Sequence, residues 1–563
     1  MPDTTVGRGS GLQLAALESQ VLYSEFSPIR RRGRRENPKE LCASAVDLSA
    51  GRPCARASRC HVTDHLLHTI VDLTPNMTQD LEALNKTVPP DMDLQEFRAN
   101  GHRLVDLLAD HLETIGTRPL FPEVKPEAVY DDFAEPLPGQ PTPLAEVIDT
   151  LEAKLLPHVT QVNHPGYFGY ITPTPTPAGI LADFVASALN QNLGLYSLGP
   201  AAVAIERRTI RWLADLVGYG AGAGGNLTSG GMMANLIALK LARDWASDDR
   251  TQGEGVREPM AVYTSEERHV SIDKAVDVVG IGRENLRIIP TDERFTVRLE
   301  ALEEAIAADR ARGILPVCIV GMGGSTNTGS VDPLRRLREI ADREGIWLHV
   351  DAAYGGGMLL SRANPGVLDG VELADSVTLD PHKWFFAPLD AGAVLLKNEK
   401  RLTRSFGMRP AYLTEPQDGR GERYDYFVHG LEQSRRFRSL KVWMAFKRYG
   451  TDRIGEWVDA NVAQAKRLYE LAEAHPDFVT AREPDLSAVC LRYSPATVPD
   501  EELSSLHARV ARRVEESGRF WISTTELKGD AYFRVNPVNF RTRIEDIDEL
   551  FRFLVRVCAE AIR

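Results

Sequence analysis

Between Pro200 and Asn398 short apolar runs alternate with amphipathic stretches of helical period. This rhythm constrains the fold more than any other feature of the chain. Strands are expected at Ala261–Thr264, Leu286–Pro290, Ile314–Met322, Ile346–Val350, Ser376–Leu379 and Ala391–Leu396. Helices are expected at Ala202–Val217, His269–Val279, Arg298–Ala307 and Pro333–Arg343. A strand buried on both faces has no polar side, so it reads as a continuous apolar run. Strands alternating with helices imply a mostly parallel central sheet covered on both faces, an α/β fold. No repeat of fixed period is evident.

The flanks read differently. Asp93 to Ile115 has a good N-cap in Asp93, with Glu96 three residues on. Its apolar stripe is Leu94, Phe97, Leu104, Val105, Leu108 and Leu112. Asn163 to Ala178 carries repeated prolines, which fix φ and remove donors, so it reads as a loop. Thr414 to Arg423 is polar and predicts a mobile loop. A basic-faced helix follows at Leu440–Tyr449. From about residue 455 helices and strands alternate again, ending in the helix Glu545–Ile562. The expected organisation is an extension (1–92), a helical segment (93–164), a large domain (165–400), a mobile loop with a connecting helix (401–454) and a small C-terminal α+β domain (455–563).

Residues 1–92 fit a packed domain poorly. Their basic run, Arg30 to Arg35, reads as a solvated tail or as a nucleic-acid or targeting patch. Cys54, Cys60, His61 and His65 suggest zinc, but the spacing matches no usual finger. Met77 is an alternative start. The net charge of −13 argues against general affinity for nucleic acid or an anionic membrane. Six scattered cysteines make no disulfide framework. No apolar run approaches the ~20 residues that span a bilayer, and no secretory pattern is present. A cytoplasmic protein is expected.

Three stretches carry chemistry. In Asp380-Pro381-His382-Lys383-Trp384, a lysine stands between a strand-like run and the apolar Phe385-Phe386. An amine held out of water is a nucleophile able to hold an aldehyde as a Schiff base; the bland alternative is a snorkelling lysine. His349-Val350-Asp351-Ala352-Ala353-Tyr354 places a carboxylate at the end of a buried strand, where α/β ligands bind, and a buried carboxylate needs a cationic partner. Thr228-Ser229-Gly230-Gly231 opens a helix with small residues, whose N–H groups suit a phosphate. Gly324 to Gly329 is either a polar ligand loop or a plain turn.

Together, Lys383 in DPHKW, Asp351 in HVDAAY, the TSGG loop and His269 in EERHVS resemble the group II pyridoxal-phosphate-dependent amino acid decarboxylases. That family includes the aromatic-L-amino-acid, glutamate and related decarboxylases. The resemblance covers roughly residues 93–563, and the order of the motifs makes it specific. It implies an aspartate-aminotransferase-like (type I) fold, pyridoxal 5′-phosphate as cofactor and a homodimer with active sites at the interface. Lys383 would hold the cofactor aldehyde, Asp351 its pyridine nitrogen, and His269 and Ala353 its two faces. Ser229, Gly230 and Gly231 would take the phosphate, with Thr326 and His382 alongside. Tyr412, in Arg409-Pro410-Ala411-Tyr412-Leu413, matches the family's proton donor. Tyr170 and Ile171 fall where the substrate pocket is lined. Ile171 and Pro173 depart from the Phe and Thr more usual in aromatic decarboxylases.

The expected reaction is decarboxylation of an L-amino acid, aromatic by preference, to the amine and CO2. Glutamate, aspartate and diaminobutyrate stay open as substrates. Other enzymes share the fold, among them aminotransferases, lyases and aldehyde synthases, and a non-catalytic regulator is a further alternative. A pocket for a second carboxylate needs an inward-facing arginine or lysine.

Overall fold

Six of the apolar runs form strands in the computed structural model, which describes residues 91–122, 124–410 and 423–563. The strands are β1 (Gly224–Thr228), β2 (Met260–Ser265), β3 (Leu286–Ile289), β4 (Leu315–Met322), β5 (Trp347–Asp351), β6 (Ser376–Leu379) and β7 (Gly392–Leu396). They lie in the order β1-β7-β6-β5-β4-β2-β3. Five of them, β6, β5, β4, β2 and β3, pair in parallel. Only β7 runs antiparallel to its neighbours, β6 and β1. The Asp380–Ala391 connection holds no α-helix to carry the chain back for a parallel strand.

The seventh strand, β1, is the one that the apolar pattern did not predict. Its sequence, Gly-Gly-Asn-Leu-Thr, has low strand propensity. Close packing explains the glycine. A Cβ on Gly225 would stand 2.2 Å from the carbonyl oxygen of Val394 on β7, so no larger residue fits there.

Helices of nine residues or more are α1 (Leu94–Thr114), α2 (Pro177–Leu189), α3 (Pro200–Val217), α4 (Gly231–Ala246), α5 (Val270–Val278), α6 (Leu299–Ala311), α7 (Leu334–Glu344), α8 (Ser439–Glu473, broken by a kink at Gly450), α9 (Asp500–Glu516) and α10 (Ile544–Ile562). Helix α7 shows how sequence sets packing. Leu334, Leu337, Ile340 and Ala341 repeat at helical spacing and are buried, while arginines and acids face outward. Helix α4 crosses β4 to β7 and is buried along most of its length.

A second sheet, β10-β11-β9-β8, is antiparallel throughout: β8 (Phe478–Thr480), β9 (Val489–Tyr493), β10 (Ser523–Leu527) and β11 (Asp530–Val535). It has its own core, in which Leu491, Val510, Phe533, Leu550 and Leu554 are fully buried. Emptying one such site by a Leu→Ala change costs roughly 2–5 kcal/mol. Met92–Arg563 forms one compact unit that contains both sheets.

Helix α1 begins as expected, with the Asp93 carboxylate accepting the Gln95 N–H at 3.1 Å. Its stripe stays uncovered: Leu94 is 74% exposed, and Phe97, Val105 and Leu108 are exposed as well. Helix α2 likewise exposes Leu181, Phe184, Val185 and Leu189. Among the described residues no helix is long and apolar enough to cross a membrane. The N-terminal extension up to Pro90, Tyr412 and most of the Thr414–Arg423 stretch lie outside the described residues.

Candidate active site

Parallel strands bring their C-terminal ends to one edge, and the loops that leave them converge there. Strand β2 leads to Glu267 and His269, β4 to the 323–330 loop, β5 ends on Asp351, and β6 leads into Asp380–Lys383. The N-terminus of α4 completes the ring. Gly231, Asn235, His269, Thr326, Asp351 and Lys383 are among the residues that line the resulting cavity.

Lys383 is fixed through its neighbour. Trp384 is fully buried, stacks on Tyr354 at 5.2 Å and donates its indole N–H to Asn461 Oδ1 at 3.1 Å. That anchor leaves the Lys383 ammonium at the cavity, 3.2 Å from Asp380 Oδ2. The other oxygen of Asp380 is buried and has no hydrogen-bond partner among the described residues. His382 lies beside the cavity but is not among the residues that line it. Its Nδ1 accepts the Ala391 N–H at 2.9 Å, and its Nε2 stands 3.6 Å from Asp380 Oδ2. Burial pulls the His382 imidazole below its usual range.

Asp351 is only 6% exposed. Its Oδ1 accepts the Ala353 N–H at 3.1 Å, and its Oδ2 accepts an N–H of Asn235 at 2.8 Å. Ala353 lies on the cavity wall. His269 caps α5: its Nδ1 accepts the Ser271 N–H at 3.2 Å and meets Ser271 Oγ at 2.9 Å. Burial lowers the His269 pKa, the Asp351 charge opposes that shift, and the Lys383 charge adds to it. At the start of α4, a Cβ on Gly231 would stand 2.8 Å from Asp380 Oδ2 and 3.1 Å from the Ala353 methyl. Glycine lets the helix end approach the cavity floor.

Not every predicted residue joins this group. Ser229 is exposed and Gly230 is the N-cap of α4; neither lines the cavity. Tyr170 is 61% exposed and packs edge-on against Trp521 at 4.9 Å, and Ile171 packs against the main core. Neither of these two lines the cavity.

Three groups that the sequence reading passed over belong to this region. Asn235 bridges Asp351 and Ser271. Glu267 is buried and accepts the hydroxyls of Ser325 and Thr328, each at 2.8 Å; burial pushes its carboxyl pKa up. Arg534, on β11, donates Nε–H to the carbonyls of Thr326 (2.9 Å) and Asn327 (3.1 Å). Its Nη2 is buried without a hydrogen-bond partner among the described residues. A polar residue on the otherwise apolar face of α4 was the available signal for Asn235.

As a donor set, the cavity suits a flat, anionic, aldehyde-bearing ring. A primary amine stands at one point and a buried carboxylate at another. A helix N-terminus cut back to glycine serves an anion, and hydroxyls and an imidazole line the walls. Pyridoxal 5′-phosphate meets each of these requirements.

Residues 126–494 match the model of the pyridoxal-dependent decarboxylase conserved domain. The chain is 31% identical over 471 residues to the aromatic-L-amino-acid decarboxylase of Bacillus atrophaeus, covering 84% of this chain and 96% of that one. It is also 31% identical over 451 residues to the phenylacetaldehyde synthase of Arabidopsis thaliana, covering 79% and 92%. A crystal structure of Oryza sativa TDC with PLP and tryptamine superposes with a TM-score of 0.79 at 26% identity, covering 84% of this chain and all of that one.

Proposed function

The chain belongs to the pyridoxal-dependent decarboxylases, and from that membership we propose that it converts an aromatic L-amino acid to the amine and CO2. The observation that carries the proposal is the meeting of Lys383, Asp351, His269 and the α4 N-terminus at one cavity. The names of the relatives, among them the aromatic-L-amino-acid decarboxylase, support an aromatic substrate.

When bound, pyridoxal 5′-phosphate supplies an electron sink for the bond broken at Cα. The chain's own residues have distinct tasks. Lys383 would hold the cofactor through its aldehyde. Asp351 would keep a proton on the pyridine nitrogen through a charge-assisted hydrogen bond. His269 and the small Ala353 side chain would bound the ring. Gly231 and the α4 N-terminus would receive the phosphate. A pocket that orients the substrate carboxylate for cleavage would select CO2 loss over other Cα chemistry. Tyr412 would return a proton to Cα; this role comes from its RPAYL context. Thr326 and Ser325 supply hydroxyls to the wall.

A second reading has a specific observation behind it. The buried Arg534 guanidinium leaves Nη2 without a hydrogen-bond partner among the described residues and borders Thr326, although Arg534 itself does not line the cavity. A guanidinium so placed suits a substrate with an acidic side chain. We further propose a homodimer in the cytoplasm. The uncovered apolar faces of α1 and α2 support self-association. Sedimentation at micromolar concentration should give twice the chain mass of 62.3 kDa.

The deciding experiment is an amine-and-CO2 assay of the cofactor-loaded protein against the twenty amino acids, DOPA and diaminobutyrate. An aromatic amine bears out the first reading. An amine from glutamate, aspartate or diaminobutyrate transfers the assignment to the second. Aldehyde in place of amine refutes simple decarboxylation.

A further inference from the structure

Asn235 is 1% exposed and stands one helical turn into α4, four residues after Gly231. Its side chain makes four hydrogen bonds with the surrounding polar groups. Nδ2 donates to Asp351 Oδ2 and to Ser271 Oγ, both at 2.8 Å. Oδ1 accepts the Thr378 hydroxyl at 2.6 Å and faces His349 Nε2 at 3.0 Å. The amide has one workable orientation. Reversed, its carbonyl oxygen would stand against the Asp351 carboxylate, acceptor on acceptor, at 2.8 Å.

That orientation turns Oδ1 towards His349. With its hydrogen on Nε2, His349 donates to Asn235 Oδ1 at 3.0 Å; the Ser376 carbonyl stands 3.2 Å from its Nδ1. Its Nδ1 then takes the Ser376 hydroxyl at 2.9 Å, and Ser376 Oγ in turn accepts the Trp347 indole N–H at 2.9 Å. His349 is fully buried, and burial lowers its pKa to about 4, so the ring is neutral. On the other side, Ser271 Oγ accepts from Asn235 and so has its own hydrogen free for His269 Nδ1. The Ser271 backbone N–H donates to the same nitrogen. His269 is thereby held with its hydrogen on Nε2, the nitrogen not used in the cap.

We infer that Asn235 is the positioning residue of the site. It orients the Asp351 carboxylate with one N–H and, with the other, holds the Ser271 hydroxyl that meets His269 Nδ1, while His349 stands behind the amide. The two groups assigned to the cofactor ring's nitrogen and face thus act as one unit. Each is a residue of this chain that neither local motif links to the other. The inference rests on the proposed roles of Asp351 and His269.

The test uses full-length protein reconstituted with pyridoxal phosphate. The readouts are the cofactor dissociation constant and the pH midpoint of the bound cofactor's visible absorption band. Asn235→Ala should weaken cofactor binding about ten- to a hundred-fold, the worth of a hydrogen bond to a charged acceptor, and should move the pH midpoint. Ser271→Ala should move both less, and its effect should largely vanish in the Asn235→Ala background, because the path runs through Asn235. His349→Gln, which retains an N–H near the Nε2 position, should resemble the native protein, whereas His349→Leu should resemble Asn235→Ala. A packing role predicts the reverse order for those two variants. Native affinity and midpoint in Asn235→Ala, or strict additivity with Ser271→Ala, overturn the inference. Should Asn235→Ala not fold, the His349 pair decides alone. Asp351→Asn is the control. If it moves both readouts and Asn235→Ala moves neither, only this inference fails; if Asp351→Asn moves neither, the assignment of Asp351 fails and takes the inference with it.

Discussion

Asp351→Asn separates charge from shape. The amide has the outline of the carboxylate but only one acceptor oxygen. In the native site Oδ1 accepts from the Ala353 N–H at 3.1 Å and Oδ2 from Asn235 at 2.8 Å. An asparagine can keep one of these bonds; the other becomes donor against donor. Losing one bond to a charged acceptor costs about 1.5–3 kcal/mol, which bounds the destabilisation expected in the cofactor-free protein. With cofactor bound the loss should be larger. The carboxylate is 6% exposed and is assigned to a protonated ring nitrogen. Breaking a buried pair by removing one partner costs about 3–5 kcal/mol. At about 1.4 kcal/mol per tenfold, kcat/KM should fall by roughly two to four orders of magnitude. The assay is CO2 release at saturating cofactor, paired with urea unfolding of the cofactor-free protein. A rate loss under tenfold with cofactor bound would refute the argument that Asp351 faces a charged partner.

Other outcomes follow from the same geometry. Tyr412→Phe should bind cofactor normally but divert product from amine towards aldehyde in air; an unchanged amine yield would remove Tyr412 from its assigned role. Gly231→Ala places a methyl 2.8 Å from Asp380 Oδ2 and 3.1 Å from Ala353, so cofactor affinity should fall at least tenfold while the far-ultraviolet circular dichroism is unchanged. The buried neutral His349 contributes stability that is full above the unfolded imidazole pKa of 6.5 and is lost as pH falls towards its folded value of about 4. Across that window His349→Gln should flatten the stability profile by up to about 1.4 kcal/mol per pH unit. Parallel profiles for the two proteins would contradict this. Phe184→Glu, on the uncovered face of α2, should shift the protein towards monomer in sedimentation.

Much of the fold was legible because buried parallel strands admit little besides apolar residues. Strands β2 to β6 were each within one residue of expectation at either end. Strand β1 was not, since close contact with β7 selects glycine where strand propensity would select valine. The end-of-strand motifs pointed to Lys383, Asp351 and His269, which meet at one cavity because loops converge where parallel strands stop. The supporting shell was harder to read. Asn235 occupies a helix position that periodicity assigns to the core, and its partners lie 36 to 143 residues away. Arg534 follows the alternation of an ordinary strand, and no local motif marks it. Its actual neighbours, Thr326 and Asn327, are 208 and 207 residues distant in the chain.

That last contact bears on how the protein is made. Arg534 and Asn536 lie within the last thirty residues. Arg534 ties down the Thr326 loop, and Asn536 holds the Tyr170 carbonyl at 2.9 Å and the Tyr354 hydroxyl at 3.0 Å. Synthesis proceeds from the N-terminus, so every residue assigned to chemistry leaves the ribosome long before the clamp that shapes their enclosure. The nascent chain can assemble the large sheet and still lack a finished wall. Cofactor capture is therefore expected late in biogenesis, and a ribosome stalled shortly before Arg534 should display a chain that retains little pyridoxal phosphate.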